Sequence, residues 1–330
     1  MERAAANAVS ENRHSLKRLV ERFPFLPALL IMLVLLGMTG VLSPGTVSYR
    51  GLTGLLSTYL ALMLLSVAQT YVVFAADIDL SAGAIVSLVN VSVVLLMQAW
   101  GGETLPVLAA LGIGLLIGAL CGLLNGIVVA LLRLQAIVAT FASSIFFTGL
   151  ALYILPVAGA PVPRVVWRTF GGKIYGVPFV FYVVLLVGLL LYMLSRTRLV
   201  LQLLAVGDDA QSAFQSGLAV TVIRIKAYVV CGIFSALAAF CIIGDTASGD
   251  PLVGGKMTLL SVAAVVLGGS ALSGGVGTVL GSVIGALTIG LINAFVYFAG
   301  TPSEWQNFVQ GLVILIALML GVLVSRRART

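Results

Sequence analysis

The chain has 330 residues, of which 61% are apolar and only 9% are charged. A soluble protein normally carries about 25% charged residues, so this composition excludes an ordinary water-soluble enzyme and a disordered chain. The apolar residues form continuous runs, which also argues against an outer-membrane barrel built from short segments of alternating polarity. The sequence therefore predicts an all-α, polytopic helical membrane protein.

The apolar runs predict about ten transmembrane helices at roughly 20 residues per span. A polar tail is predicted at 1–22, a transmembrane domain at 23–325 and a short tail at 326–330. The run at 258–270 is short for a span, and only Ala75–Ile78 separates the second run from the third. In chain order the runs are 23–42, 51–75, 79–98, 105–132, 136–155, 178–195, 225–243, 258–270, 276–299 and 307–324.

The basic residues predict the orientation of these spans. With the N-terminus in the cytoplasm, alternation puts both termini and most of the 18 Lys and Arg residues on the cytoplasmic side. This distribution follows the positive-inside rule, so the net charge of +7 is a signal of topology and not of nucleic-acid binding.

Two connections are long enough to contact partners. The connection at 156–177 is predicted outside and contains three prolines, and the connection at 196–226 is predicted in the cytoplasm. The second contains a polar stretch in which Asp208 or Asp209 can cap a short helix that Gly217 can end. A short capped helix between two spans predicts a docking element, although a solvated connector would have the same pattern.

Glycines at a spacing of four mark two of the predicted helices. Small residues at this spacing lie on one helix face and let helix backbones approach closely in a membrane. We expect both faces to pack against other helices of the body or of a second subunit. The residues are Gly114, Gly118, Gly122 and Gly126 in the fourth run, and Gly277, Gly281 and Gly285 in the ninth.

Asp77 and Asp79 lie between two apolar runs, next to Ser81. Two carboxylates at membrane depth are costly unless they cap a helix or line an aqueous path. One interpretation is that Asp79 or Ser81 caps the third helix at the cytoplasmic interface. The alternative is a broken helix near the middle of the membrane, of the kind that lines substrate paths in transporters.

Uncharged polar residues inside the runs suit either interhelical hydrogen bonds or the hydroxyls of a neutral solute. Together with the acids and Ser81, the candidates for a substrate path are Asn90, Asn125, Ser143 and Asn293.

The sequence lacks the signatures of an enzyme or a metal centre. Its one histidine lies in the N-terminal tail, so a metal site built on histidine is close to excluded. The stretch 249–257 resembles a P-loop only weakly, because Asp250 and Met257 stand where that motif needs Gly and Ser or Thr. This stretch is also predicted to lie outside, so any ATP must be hydrolysed on another chain.

Four stretches in order resemble the permeases of ribose-type sugar ABC importers over roughly residues 50–325. They are Ile78–Ser81 with Gly83; Gly118–Gly126; Ala263–Ser270 with Leu272, Gly274 and Gly275; and Gly311–Leu315 after Trp305 and Gln306.

The resemblance implies an ATP-driven importer of a small polar solute, most simply a sugar, in the bacterial inner membrane. It implies no cofactor in this chain and four kinds of partner: membrane lipid, a second permease subunit in a homo- or heterodimer, a cytoplasmic ABC ATPase that uses ATP, and a periplasmic or extracellular solute-binding protein. It also places the ATPase docking site at Asp208, Asp209, Gln211, Phe214, Ser216, Gly217 and Leu218.

Several positions depart from the family pattern. Thr258, Leu259 and Leu260 replace a Glu-Leu-Asp run, Ala76-Asp77 replace two glycines, and Phe214 replaces an arginine of the docking loop. These departures fit either a heterodimer with a more typical permease or a different solute. The same machinery could carry a nucleoside or a branched-chain amino acid, and a less favoured alternative is an ion-coupled secondary carrier.

Overall fold

The computed structural model describes residues 25–329, with side chains described to residue 319, so the tail predicted at 1–22 lies outside the described residues. The described chain is mainly helical. The α-helices are α1 Leu26–Leu42, α2 Tyr49–Phe74, α3 Ala82–Ala99, α4 Thr104–Gly126, α5 Ala136–Ile154, α6 Arg164–Phe170, α7 Phe179–Arg196, α8 Leu199–Asp208, α9 Ala210–Gln215, α10 Val220–Thr246, α11 Met257–Leu267, α12 Val279–Phe298 and α13 Ser303–Arg329.

Short elements join these helices. A 3-10 turn at Pro44–Val47 precedes α2, and α4 continues as a π-helical turn at Ile127–Leu131. Four two-residue strands form two antiparallel pairs: β1 Ala160–Pro161 with β4 Ser248–Gly249, and β2 Lys173–Ile174 with β3 Val177–Pro178.

Each predicted apolar run coincides with an α-helix. Seven of these helices are long and apolar enough to cross a membrane, namely α2, α3, α4, α5, α7, α10 and α12. The prediction of a multi-pass helical membrane protein is therefore confirmed. The number of ten spans and the cytoplasmic position of both termini stay predictions, because α1 and α11 are shorter helices.

The centre of the bundle is formed by α2, α3 and α10. In α3 the whole stretch 82–91 is buried, whereas the apolar stretch of α7 is only 6% buried. A helix that is apolar all round is stable when other helices surround it, and α3 and α10 have this character. The peripheral helices expose leucines and aromatic residues that suit contact with lipid.

The glycine face of α4 packs directly on α10. A Cβ atom on Gly118 would collide with the backbone of Gly232, and one on Gly122 would collide with Tyr228. Gly114 and Gly126 lie against Phe240 and Ile225 of the same helix.

The second set of glycines packs against α11 but does not form a single helix face. Gly281 lies against Gly268, and Gly285 lies against Ala264. Gly277 precedes α12, has a φ of 158°, and contacts Ser270 and Phe74. The expected helical position of Gly277 is therefore wrong, because the helix begins two residues later.

Connections collect at two opposite ends of the bundle. At the end that we call the lower end, Gly207 contacts the carbonyl of Phe74 and the backbone of Gly275, so the α2–α3, α8–α9 and α11–α12 connections meet. At the other end, which we call the upper end, β1 pairs with β4, and the Gln98 amide donates to the Pro161 carbonyl at 2.7 Å.

Candidate functional site

The chain reverses direction between α2 and α3. Ala76 has a left-handed φ of 62°, and the Asp77 amide donates to the Val72 carbonyl at 3.2 Å. The Gln69 side-chain amide then bonds both the amide and the carbonyl of Asp79, at 3.1 and 3.2 Å. Gln69 lies five residues before the end of α2, so Asp79 lies about 7.5 Å above that end. The segment 75–81 therefore runs back into the bundle before α3 begins.

Asp79 organises a buried hydrogen-bond network. Its Oδ1 accepts from the amide and the hydroxyl of Ser81, at 2.8 and 2.7 Å, and the Ser81 hydroxyl accepts from Asn125 Nδ2 at 2.6 Å. Asp79 and Ser81 are both 0% exposed. Ser81 makes no side-chain cap bond, so Asp79 provides the carboxylate at the N-terminus of α3, where the helix dipole favours an anion.

Asp77 forms a bidentate ion pair with Arg224 of α10. Arg224 Nη2 approaches the two carboxylate oxygens at 2.7 and 2.8 Å, and Nε donates at 3.0 Å. The Asp77 side chain is 8% exposed and that of Arg224 is 26% exposed. In the sequence, Arg224 is one of the basic residues of the connection 196–226 and indicates only topology. The sequence signal that could have indicated this ion pair is Asp77 itself, because the family pattern has glycine at this position.

Both acids thus lie inside the protein, next to an interruption between two helices. This geometry favours the interpretation of a broken helix over that of simple caps at a solvated interface. It also separates the roles of the two acids, because Asp77 has a cationic partner and Asp79 is held by neutral groups.

A second interruption lies between β4 and α11. The Asp250 amide donates to Asn90 Oδ1 at 2.8 Å, and the Gly254 amide donates to the Ser87 hydroxyl at 3.0 Å. Thr258 Oγ1 accepts from the Gly83 amide at 3.0 Å. Side chains of α3 and α11 thus satisfy the irregular backbone, which is the condition for such backbone to lie at membrane depth.

This second segment packs into the bundle against α3, whereas its position outside the membrane stays a prediction. The eleven residues of α11 span about 16 Å, and the following connection reaches the lower end through Gly274 and Gly275. Lys256, which precedes α11, therefore lies roughly 16 Å above the lower end of the bundle. Lys256 and Leu252 are exposed and Asp250 is partly exposed. These residues carry no sequence signal of a buried segment, because a charge in a Gly- and Pro-containing stretch is typical of a loop.

The two interruptions meet each other. A Cβ atom on Gly83 would collide with the backbone of Gly254, and one on Gly254 would collide with Gly83. The N-termini of α3 and α11 therefore lie side by side inside the bundle, and the two helices run from this point toward opposite ends. Converging interrupted helices are the elements from which transporters build substrate sites.

Two predicted path residues lie elsewhere. Ser143 donates to the Ala139 carbonyl of its own helix at 2.9 Å. Asn293 lies at a cavity near the upper end, beside Tyr59. The structure thus brings Asp79, Ser81 and Asn125 together, places Asp77 beside them and Asn90 at the second interruption, and separates Ser143 and Asn293 from all of these.

The predicted capped helix at the lower end is α9. Asp209 Oδ1 accepts from the amides of Gln211 and Ser212 at 2.8 Å each, and Gly217 has a left-handed φ of 84°. The prediction of the cap and of the helix end is confirmed. These two N–H bonds hold the pKa of Asp209 below its ordinary value, because they stabilise the carboxylate.

The surface of α9 is exposed, and its flanks touch the chain reversal. Phe214 is 71% exposed, and the Ser216 hydroxyl donates to Ser212 within the segment. Gly207 contacts Phe74, and Asp208 contacts Gly275. The Leu218 amide closes the segment on the Ala213 carbonyl at 3.1 Å. A displacement of this segment would therefore reach the α2–α3 and α11–α12 connections directly.

Comparisons with known proteins agree with this architecture. The family described as "Branched-chain amino acid transport system / permease component" matches residues 51–318. The chain is 31% identical over 301 residues to the ribose import permease protein RbsC of Escherichia coli (strain K12), covering 89% of this chain and 92% of the relative. It is also 31% identical over 307 residues to the autoinducer 2 import system permease protein LsrC of Yersinia pestis (strain Pestoides F), covering 90% and 83%. No solved structure matches.

Proposed function

Because the chain belongs to the family of permease components of branched-chain amino acid transport systems, we propose that it is the membrane-spanning subunit of an ATP-driven importer for a sugar or sugar-like solute. The similarity to the RbsC and LsrC permeases supports a sugar. The observation that carries the proposal is the contact between the two interrupted segments at Gly83 and Gly254.

The solute path runs along the exposed face of the second interrupted segment. A lysine at the centre of a bilayer costs about 2.5–3.5 kcal/mol even on insertion scales, so Lys256 needs water or another protein chain beside it. Asp250 and Leu252 precede Lys256 on this segment. We infer that a second permease subunit covers this face and that the path lies between the two subunits.

The energy for transport comes from a separate ATPase that docks on α9. Exposed Phe214 is the contact residue, and Gly207 and Asp208 pass the movement to the two connections that they touch. ATP is used on that partner, and this chain holds no cofactor. A solute-binding protein docks at the upper end, where the connection 156–177 lies, and the complex resides in the bacterial inner membrane.

A branched-chain amino acid is the second candidate solute, because the family description names this class. The buried polar groups favour neither class by charge, since the Asp77 carboxylate is neutralised by Arg224. The ion pair does weaken the case for an ion-coupled carrier, because it leaves one of the two acids without a free charge.

Cysteine labelling in membrane vesicles tests the path. We expect Lys256→Cys and Leu252→Cys to react with a membrane-impermeant thiol reagent, and the transported solute to slow the reaction. Leu185→Cys is the matched control, because Leu185 is 72% exposed on the peripheral helix α7. Labelling of both path variants at the low rate of this control would reject the path.

Uptake by the complete complex in proteoliposomes tests the class of transport. We expect accumulation of ribose or a related sugar that depends on internal ATP and the binding protein, and that persists without proton or sodium gradients. Uptake of leucine or of a nucleoside instead would correct the solute and keep the machinery. Uptake driven by an ion gradient alone would contradict the proposal.

Docking is tested by Phe214→Asp, with Phe298→Asp at the upper end as the control. We expect the first variant to lose stimulation of the ATPase and the second to keep it. Equal stimulation in both variants would show that α9 does not carry the contact.

A further inference from the structure

We propose that the cleft behind α9 binds the phosphate of an anionic phospholipid of the cytoplasmic leaflet. The cleft has a volume of about 800 Å³ and lies at the lower end, between the ends of α4, α5, α9 and α10. Its charged lining residues are Arg133, Arg224 and Asp77. This cleft lies apart from the proposed solute path, and Phe214 of α9 forms part of its wall.

The charges of the cleft favour the binding of an anion. Asp77 engages Nε and Nη2 of Arg224, so the Nη1 group of the guanidinium stays available for a second acceptor. Arg133 takes part in no ion pair within the part of the chain that the structure describes. Two cations against one carboxylate give the cleft a net positive charge, and arginine binds phosphate oxygens in a bidentate geometry.

The backbone presents Arg133 at a break between helices. Arg133 has a left-handed φ of 58°, and it directly follows the π-helical turn that ends α4. A residue other than glycine, asparagine or aspartate is uncommon in this conformation, and such residues cluster at ligand sites. The conformation places the arginine in the cleft and not on the continuation of α4.

The apolar surroundings favour a lipid over other sources of phosphate. Leu131, Leu132 and Leu134 are 59%, 61% and 52% exposed around the arginine, and Ile137 and Val138 continue the exposed face on α5. In a bilayer the phosphate of a phospholipid lies at the ends of helices whose sides contact the acyl chains. The basic cleft therefore suits the phosphate, and the exposed apolar side chains suit the acyl chains. Basic pockets between helix ends on the cytoplasmic side bind anionic headgroups in this manner.

The position of the site gives the lipid a structural consequence. A phosphate on Nη1 of Arg224 would bridge α10 to Arg133 at the α4–α5 connection, while Asp77 holds the same guanidinium from the α2–α3 connection. One bound lipid thus links two connections and α10 beside α9.

Native mass spectrometry of the purified complex tests this proposal by counting retained phospholipids. We expect phosphatidylglycerol to bind the wild-type chain, and Arg133→Gln to weaken this binding about five- to tenfold, since one surface arginine is removed. Arg198→Gln is the matched control, because Arg198 lies in the same lower-end region outside the cleft. Thr221→Glu in the cleft wall is a second test, because it adds a repelling charge without removing an arginine.

Two further arms identify the source of the anion. Phosphatidylcholine should bind weakly, and inorganic phosphate should not displace phosphatidylglycerol at millimolar concentration. Retention in Arg133→Gln and Thr221→Glu equal to that in Arg198→Gln would overturn the proposal. It would also be overturned if inorganic phosphate competed fully, or if the assembled ATPase excluded the lipid and the Arg133 variant weakened ATPase binding instead.

Discussion

The ion pair between Asp77 and Arg224 provides the sharpest stability prediction. Asp77→Asn removes the charge and keeps the shape of the side chain, so Arg224 loses the negative charge and one of the two acceptor oxygens that it contacts through Nε and Nη2. Hydrogen bonds to charged groups contribute about 1.5–3 kcal/mol, and breaking a fully buried pair costs about 3–5 kcal/mol. Because the Arg224 side chain is 26% exposed, water can partly replace the carboxylate. We therefore expect a loss of about 2 kcal/mol, near the lower part of this range.

A double-mutant cycle isolates the contribution of the pair. The variants are Asp77→Asn, Arg224→Gln and the combination, and the measurement is unfolding of the purified protein by titration with sodium dodecyl sulfate, followed by circular dichroism. We expect the double variant to lose about 1–2 kcal/mol less than the sum of the single variants.

The matched control is Asp245→Asn. This carboxylate is near the upper end, and among the residues that the structure describes its one side-chain hydrogen bond is a long contact of 3.5 Å with the Ser57 hydroxyl. We expect its effect to stay within about 0.5 kcal/mol. Additive losses in the cycle, within about 0.5 kcal/mol, would refute the reasoning, because they would mean that the two groups contribute independently.

Three further outcomes follow from the packing and the caps. Gly118→Ala should disrupt the α4–α10 contact and lower stability, whereas Gly112→Ala, at a position with open space, should be tolerated, as thermal unfolding of both variants would reveal. Ala76→Gly should stabilise the chain by about 0.5–1 kcal/mol, since it removes the Cβ from a left-handed φ of 62°; a loss of stability in the same assay would argue against this backbone conformation. The N–H bonds to Asp209 lower the pKa of this carboxylate, so the amides of Gln211 and Ser212 should be protected at neutral pH and lose protection as the pH falls through the lowered pKa. Hydrogen exchange at a series of pH values measures this loss, and protection that is indifferent to Asp209→Ala would contradict the cap.

The sequence predicted the helical architecture well because the signal is repeated along each apolar run. The local chemistry of Asp209 and Gly217 was also predictable, because a cap depends on residues that are close in the chain. The break between the two helices at Ala75–Ile78 was visible in the sequence, but the direction of the chain after the break was not. Only the contact of Gln69 with the backbone of Asp79 reveals that the chain turns back along α2.

The second interruption could not be predicted from local pattern. A polar stretch with glycine and proline is typical of an external loop, and its N–H groups are satisfied by Asn90 and Ser87, which lie far away in the sequence. Ser143 and Asn293 lie apart from Asp79 in the structure, and their place on a substrate path stays a prediction. Polar residue type alone does not predict which polar side chains meet, because the rotation and position of each helix decide this.

The β1–β4 pair at the upper end has a consequence for communication across the membrane. Its register pairs Ala160 with Gly249, so the strand that follows α5 is fastened to the residue immediately before Asp250. The interrupted segment is thus held at its upper end by the strand pairing and at its lower end by α11. A shift of the connection 156–177 would therefore be transmitted through the strand pair to the residues next to Asp250 and, through them, to α11.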